Sequence, residues 1–241
     1  MSTLFISDLH LDPCRATIIA CFLDFLKHQQ GRPEALYILG DLFETWIGDD
    51  HPEPGYQSVK SALKAFSQAG TPVYVIHGNR DFLIGEQFAD DTGCRLLTDP
   101  TRIDLYGTAT LLMHGDSLCT DDQDYQRLRR RVRDPAWQHS VLGLPMDERM
   151  RMARQARELS ETHKQGKEDS IMDANQQAIR HAIEEHHADL LIHGHTHRAG
   201  IHRFINNGRE VTRIVLGDWY RTGSVLFVDQ HGWQLKTLNC G

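Results

Sequence analysis

The chain has no Cys-x-x-Cys pair, no apolar run long enough to cross a bilayer, no low-complexity tract and no repeat of fixed period. Its five cysteines (Cys14, Cys21, Cys94, Cys119, Cys240) are odd in number and scattered. That pattern argues against a disulfide framework or a thiolate zinc site and predicts reduced thiols, as in a cytosolic protein. No basic stretch followed by a long apolar one opens the chain. Thr3-Leu4-Phe5-Ile6-Ser7 already reads as a strand, so no signal peptide is expected. Positive charge is also short, with 26 Lys and Arg against 33 Asp and Glu and a net charge of −7, which excludes a composition built for nucleic acid. The charge is uneven. Residues 125–167 hold eleven Lys and Arg against five Asp and Glu, a local +6 that leaves −13 on the rest. A basic segment on an acidic body suits an anionic ligand or an anionic membrane surface.

What remains is an α/β chain of 241 residues, long enough for one large domain. Apolar strands at Leu4–Ser7, Ala35–Leu39 and Val73–His77 alternate with helical stretches at Ala16–His28 and Gln57–Ala69, a rhythm that predicts a buried, largely parallel sheet. Arg102–Leu105 and Thr108–Met113 flank Tyr106-Gly107 and predict a hairpin. Asp121–Glu168 is polar, Arg-rich and helical, with Gly143 and Pro145 marking a break between two helices. Ser170–Ala188 returns to a core-type helix. Strands follow at Asp189–His193 and near residues 201–205, 211–216, 224–228 and 233–238. The expected architecture is a four-layer α/β/β/α sandwich whose core is residues 1–120 and 170–241, with residues 121–169 as a helical insert lying over the site.

Five strand-like segments end in residues that bind metals: Ser7-Asp8-Leu9-His10, Gly40-Asp41-Leu42, Gly78-Asn79-Arg80-Asp81, His114-Gly115-Asp116 and Gly194-His195-Thr196-His197. Each alone is ordinary turn chemistry. Gly-His-Thr-His is the sharpest, because two imidazoles beside a glycine serve no folding purpose. Strand ends of open α/β sheets gather at one edge, so the five together describe one site. Two nearby cations need a bridging anion, and Asp41 is the natural bridge. Asp8 with His10, and His195 with His197, can each approach an ion from a turn. Asn79 adds an amide oxygen and His114 an imidazole nitrogen. This sulfur-free N/O set suits Mn²⁺ or Fe²⁺. His77 and His193 read as satisfied strand ends.

This ordered set, with Glu44 after Gly40-Asp41, resembles the calcineurin-like metallophosphoesterase superfamily from Leu4 to about Asp218, the insert apart. The resemblance implies the four-layer sandwich and a dinuclear site. Asp8, His10, Asp41 and His197 would hold one ion, and Asp41, Asn79, His114 and His195 the other. The chain departs from the superfamily's common Gly-Asn-His at Arg80. A guanidinium does not give up its proton near neutral pH, but it binds phosphate oxygens bidentately. A leaving group that needs no proton, the phosphate of a phosphoanhydride, is therefore expected.

Within the superfamily, Asp8-Leu9-His10-Leu11, Gly40 through Trp46, Gly78 through Phe82 and the Arg-rich insert resemble the UDP-2,3-diacylglucosamine pyrophosphatases of lipid A synthesis. That resemblance implies hydrolysis to UMP and 2,3-diacylglucosamine 1-phosphate with two Mn²⁺, by a peripheral protein on the cytoplasmic face of the bacterial inner membrane. It puts catalytic roles on Asp41, Asn79, Arg80 and His195. Substrate contacts would fall on Asn79, Arg80, Asp122, Ser160, Lys164, Lys167 and His195. Arg157, Ser160, Lys164 and Lys167 share a helical face. The insert's Trp, Leu and Met residues admit two readings, helix packing and an acyl-chain groove. Trp46, Phe82, Leu83 and Ile84 would form the opposite wall. A soluble nucleotide pyrophosphatase without lipid specificity is the alternative within enzymes. A metal-free binding module is the alternative outside them, and it does not explain why every ligand position is filled.

Overall fold

A computed structural model describes residues 1–164 and 173–240, with side chains described outside 159–172. Its first half follows the alternating rhythm of the sequence: β1 (Thr3–Ile6), α1 (Ala16–Gln29), β2 (Ala35–Leu39), α2 (Gln57–Gln68), β3 (Val73–Ile76), α3 (Glu86–Thr92) and β4 (Cys94–Leu97). A hairpin, β5 (Thr101–Leu105) and β6 (Thr108–Met113), pairs antiparallel from Thr101 opposite Leu112 to Leu105 opposite Thr108. Three helices follow, α4 (Gln123–Val132), α5 (Pro135–Leu142) and α6 (Met146–Lys164), then α7 (Gln176–Glu185). The remaining strands are β7 (Leu190–His193), β8 (Gly200–Asn206), β9 (Arg209–Val215), β10 (Thr222–Asp229) and β11 (Gly232–Asn239).

The strands form two sheets, a six-stranded one ordered β11-β10-β1-β2-β3-β4 and a five-stranded one ordered β5-β6-β7-β9-β8. Strand alternation builds the layers. Leu4 and Ile6 of β1 face α1 and α2, in a cluster with Phe22, Phe25, Leu63 and Phe66, whereas Phe5 faces the second sheet. Leu190 and Ile192 of β7 meet Phe5 and Leu39 between the sheets, and Leu191 turns outward onto Ile179 and Ile183 of α7. Helix, sheet, sheet and helix are thus cemented by three apolar layers, the four-layer sandwich expected. By area these layers dominate stability, at roughly 1.5–3 kcal/mol per buried large side chain.

Three departures from expectation have local causes. The polar stretch after β6 holds three helices, because Asp134 caps α5 through Ala136 N and Trp137 N and Pro135 occupies its first turn. α7 begins only at Gln176, where the Asn175 side chain accepts from Gln177 N and Ala178 N. Cys21 and Cys240 form a disulfide across 219 residues of chain, tying α1 to the end of β11, while Cys14, Cys94 and Cys119 take part in no disulfide. The expectation of wholly reduced thiols fails because distance along the chain says nothing about a last strand that returns beside the first helix.

Candidate metal centre

β1, β2 and β3 run parallel, as do β6, β7 and β9. Their carboxyl ends therefore share an edge, and the five motifs sit just beyond them. Asp8, His10 and His197 come together in one group, and Asp41, His114 and His195 in another, with the donor atoms of each group within 4.8 Å of one another. Asp41, of the second group, also faces the first. Its Oδ2 lies 3.7 Å from His10 Nε2 and 3.8 Å from His114 Nε2. Asn79 joins the second group, its Oδ1 being 3.1 Å from His114 Nε2.

Each donor is held from behind. Asp8 Oδ2 accepts from Ser7 Oγ at 2.6 Å and His195 N at 2.9 Å, which leaves its Oδ1 buried without a hydrogen bond and 3.4 Å from His197 Nε2. An orphaned buried carboxylate oxygen is costly unless a cation meets it, so the residues fit a metal. Asp41 Oδ1 accepts from Arg80 N at 2.8 Å. His114 Nδ1 lies 2.9 Å from the Leu39 carbonyl, and donation there points Nε2 into the site. His197 Nδ1 faces Asp218 Oδ2 at 3.6 Å. His10 Nδ1 faces Glu44 Oε2 at 2.9 Å, close but too poorly aligned for a hydrogen bond.

The backbone marks the same place. Asp8, His10, Asp41, His195 and His197 all have φ between 47° and 65°. That left-handed region is uncommon for residues other than glycine, and such strain collects at functional sites. The glycines beside them are steric necessities. A Cβ on Gly78 would lie 2.0 Å from Asp41 Oδ1, and one on Gly194 would lie 2.2 Å from Asp8 Oδ2.

Electrostatics follow from burial of opposed charges. Burial works to raise the Asp8 carboxyl pKa, but His197, His114 and His10 hold it well below the usual carboxylate range. For His114, burial lowers the pKa but Asp41, Asp116 and Asp8 win, raising it to about 9. His195 goes the other way, to about 3, through burial and the neighbouring His114. Burial raises Asp41 despite His114 and His10. Glu44 stays below its ordinary range although burial opposes this, because His10, Arg80 and Arg157 surround it.

The other expected site residues divide. Arg80 sits at the site, its Nη1 4.0 Å from Glu44 Oε1. Asp122 caps α4, accepting from Tyr125 N. Ser160, Lys164 and Lys167 lie outside the described side chains. Arg157 turns to the core, donating to Thr45 Oγ1 at 2.9 Å. Trp46, Leu83 and Ile84 are buried in the helix-side core, with Phe82 packed against it and 6.1 Å from the Trp137 ring. His77 bonds the Ile84 carbonyl, and His193 accepts from Arg213 Nε while facing the Gly194 carbonyl, satisfied strand ends as expected.

Four neighbours have roles that the motif reading did not assign. Asp81 gathers Leu42 N and Gly78 N, both at 2.7 Å, and so ties two ligand turns together. Tyr125, bonded to the buried Asp116, stacks beside His195 at 5.9 Å. Asp218 and Tyr220 stand at His197 and His10, the Tyr220 ring stacked on His10 at 5.1 Å. Gly217-Asp218 after β9 repeats the Gly40-Asp41 form after β2, a signal that could have found this last pair.

Comparison with known proteins agrees with this architecture. The calcineurin-like phosphoesterase profile matches residues 1–199. A Stenotrophomonas maltophilia (strain K279a) protein named UDP-2,3-diacylglucosamine hydrolase is 52% identical over 245 residues, covering 99% of both chains. A protein of the same name from Xanthomonas axonopodis pv. citri (strain 306) is 50% identical, again over 99% of both. Among solved structures, an archaeal phosphodiesterase shares the fold at TM-score 0.52 and 13% identity, covering 99% of this chain and 100% of its own. The chain belongs to the calcineurin-like phosphoesterase family and is an enzyme of the hydrolase class.

Proposed function

We propose that the chain hydrolyses the pyrophosphate bond of UDP-2,3-diacylglucosamine in lipid A biosynthesis, releasing UMP and 2,3-diacylglucosamine 1-phosphate. Relatives of half-identical sequence carry that substrate in their names. The observation that carries the reading to this chain is Arg80, which stands where an acid would be needed for an ester and whose backbone N holds Asp41. Asp8, His10, Asp41 and His197 would hold one divalent ion, and Asp41, Asn79, His114 and His195 the second. Bound there, a Mn²⁺ pair (or Fe²⁺) supplies charge neutralisation and an acidified water near neutral pH. Asp41 fixes the spacing of the two positions by belonging to both. Arg80 and His195 bind the phosphate oxygens, and the guanidinium stabilises charge without giving up a proton. The departing group leaves as a phosphate and needs no acid.

The helical insert of residues 121–169, between core segments 1–120 and 170–241, serves as a lid. Asp122, Ser160, Lys164 and Lys167 reach the sugar and phosphates with Asn79, Arg80 and His195. The local charge of +6 over residues 125–167 of the insert seats the protein peripherally on the anionic cytoplasmic face of the inner membrane. No described helix is long and apolar enough to cross it. The test is mass spectrometry of products from UDP-diacylglucosamine with Mn²⁺, run beside UDP-glucose and an alkyl phosphate monoester. UMP should appear, with the acylated substrate strongly preferred. Release of UDP, or faster hydrolysis of the monoester, would refute the anhydride assignment. Equal turnover of UDP-glucose would remove the lipid specificity.

A further inference from the structure

Glu44 faces two ways. Its Oε2 lies 2.9 Å behind Nδ1 of His10, whose Nε2 points toward Asp41 and His197. Its Oε1 lies 3.5 Å from Nη2 of Arg157, which comes from α6. The same Nη2 donates to Thr45 Oγ1 at 2.9 Å and lies 3.6 Å from Asp12 Oδ2. The backbone under Glu44 is rigid, since Glu44 N donates to the Leu11 carbonyl and Leu11 N to the Leu42 carbonyl, both at 2.9 Å. Only 15% of the Glu44 side chain is exposed, so little water competes for either oxygen. α6 has a second, separate pin. Arg149, nearly buried, donates to the Ile47 carbonyl and to Asp50, away from Glu44. Arg149 therefore docks the helix, whereas Arg157 touches the carboxylate that backs a metal donor.

We propose that Glu44 is a positioning residue that couples seating of α6, through Arg157, to the strength of the cation position formed by Asp8, His10 and His197. A carboxylate behind a ligating imidazole fixes the ring and raises its donor strength. Arg157, itself bonded to Thr45 Oγ1, holds that carboxylate with Oε2 turned to His10. Thermodynamic reciprocity then requires the converse: a cation at this position tightens the docking of α6. The inference rests on the dinuclear reading of the site.

The test titrates chelator-stripped protein with Mn²⁺ by calorimetry and follows hydrogen exchange over residues 146–158. Wild type should bind two ions. Glu44→Gln should weaken one of them by roughly 10–100-fold and leave the other unchanged. Arg157→Ala should weaken the same ion by roughly 3–30-fold. In the Glu44→Gln background it should weaken that ion no further, the non-additivity of a shared path. Mn²⁺ should slow exchange in α6 of wild type and not of Glu44→Gln. The Arg157 side chain is 37% exposed, so Arg157→Ala keeps the test open even if Glu44→Gln does not fold. The proposal fails if Arg157→Ala leaves both affinities at wild-type values or if the two effects multiply. A wild-type protein that takes up only one ion overturns the dinuclear reading and the proposal with it.

Discussion

A single methyl group at residue 78 should disable both cation positions. Gly78 has an ordinary φ, so alanine meets no conformational penalty there, and the effect is purely steric. Its Cβ would sit 2.0 Å from Asp41 Oδ1, where ordinary contact begins at 3.4 Å, so the carboxylate must retreat by about 1.4 Å. Rotating the side chain does not suffice, because the same Cβ lies 2.2 Å from the Asp41 backbone N. The turns after β2 and β3 must part. Overpacking of this kind costs about 1–3 kcal/mol of stability, which a core of this size absorbs. The site tolerates less. Metal–ligand distances hold to within about 0.2 Å, and a misplacement of about 1 Å can cost roughly 100-fold in rate. Because Asp41 lies between both donor groups, Gly78→Ala should weaken both Mn²⁺ and lower kcat by at least about 100-fold. Gly194→Ala instead strikes Asp8 Oδ2 at 2.2 Å and Ser7 Oγ at 2.3 Å, so it should weaken chiefly the position holding Asp8. Gly143→Ala, whose methyl group meets nothing nearer than 3.6 Å, serves as the control. Calorimetric Mn²⁺ titration with parallel turnover measurements reads all three. Two ions bound at wild-type affinity by folded Gly78→Ala would refute the steric argument and Asp41 as bridge.

Asp81→Ala removes the buried acceptor shared by Leu42 N, Gly78 N, Asp41 N and Phe43 N. It should lower stability by roughly 3 kcal/mol or more, since each stranded buried donor costs about 1–3 kcal/mol. An unchanged denaturation midpoint would contradict it. Thiol titration of protein unfolded without reductant should find three reactive groups, Cys14, Cys94 and Cys119, and five after reduction. Five at the outset would exclude the Cys21–Cys240 link.

The fold was legible where the chain repeats a physical period. Unbroken apolar runs at Leu4–Ile6 and Leu190–Ile192 announce sheets covered on both faces, and the structure covers them. Short polar elements carry no such signal. α3 has seven residues and two buried side chains, and β4 is half exposed at an edge, so neither stands out from loop. The Asp134-Pro135 helix start was present in the sequence but lay inside an Arg-rich run that reads as continuous helix. The disulfide depends on β11 returning beside α1, a contact that no window of sequence contains.

The candidate centre divides along the same line. Its donors were readable because strand–turn–donor is a local pattern that recurs at five strand ends. Their convergence depends on two parallel runs, β1-β2-β3 and β6-β7-β9, facing each other across a shared apolar layer. The roles of the groups that support the donors were harder to read, for a different reason. Glu44, Asp81 and Asp218 act through neighbours that are distant in sequence, and a lone carboxylate in a turn looks the same whether it caps a helix or backs a histidine. The left-handed backbone at Asp8, His10, Asp41, His195 and His197 is the sharpest case. Glycine would relieve that strain but would carry no donor atom, so the turns keep the strained residue and place glycine at the adjoining positions 40, 78 and 194, where a Cβ would strike a ligand. The Gly-donor doublets that drew attention as motifs are therefore a steric solution: one residue supplies chemistry, and its neighbour or a facing turn supplies the room.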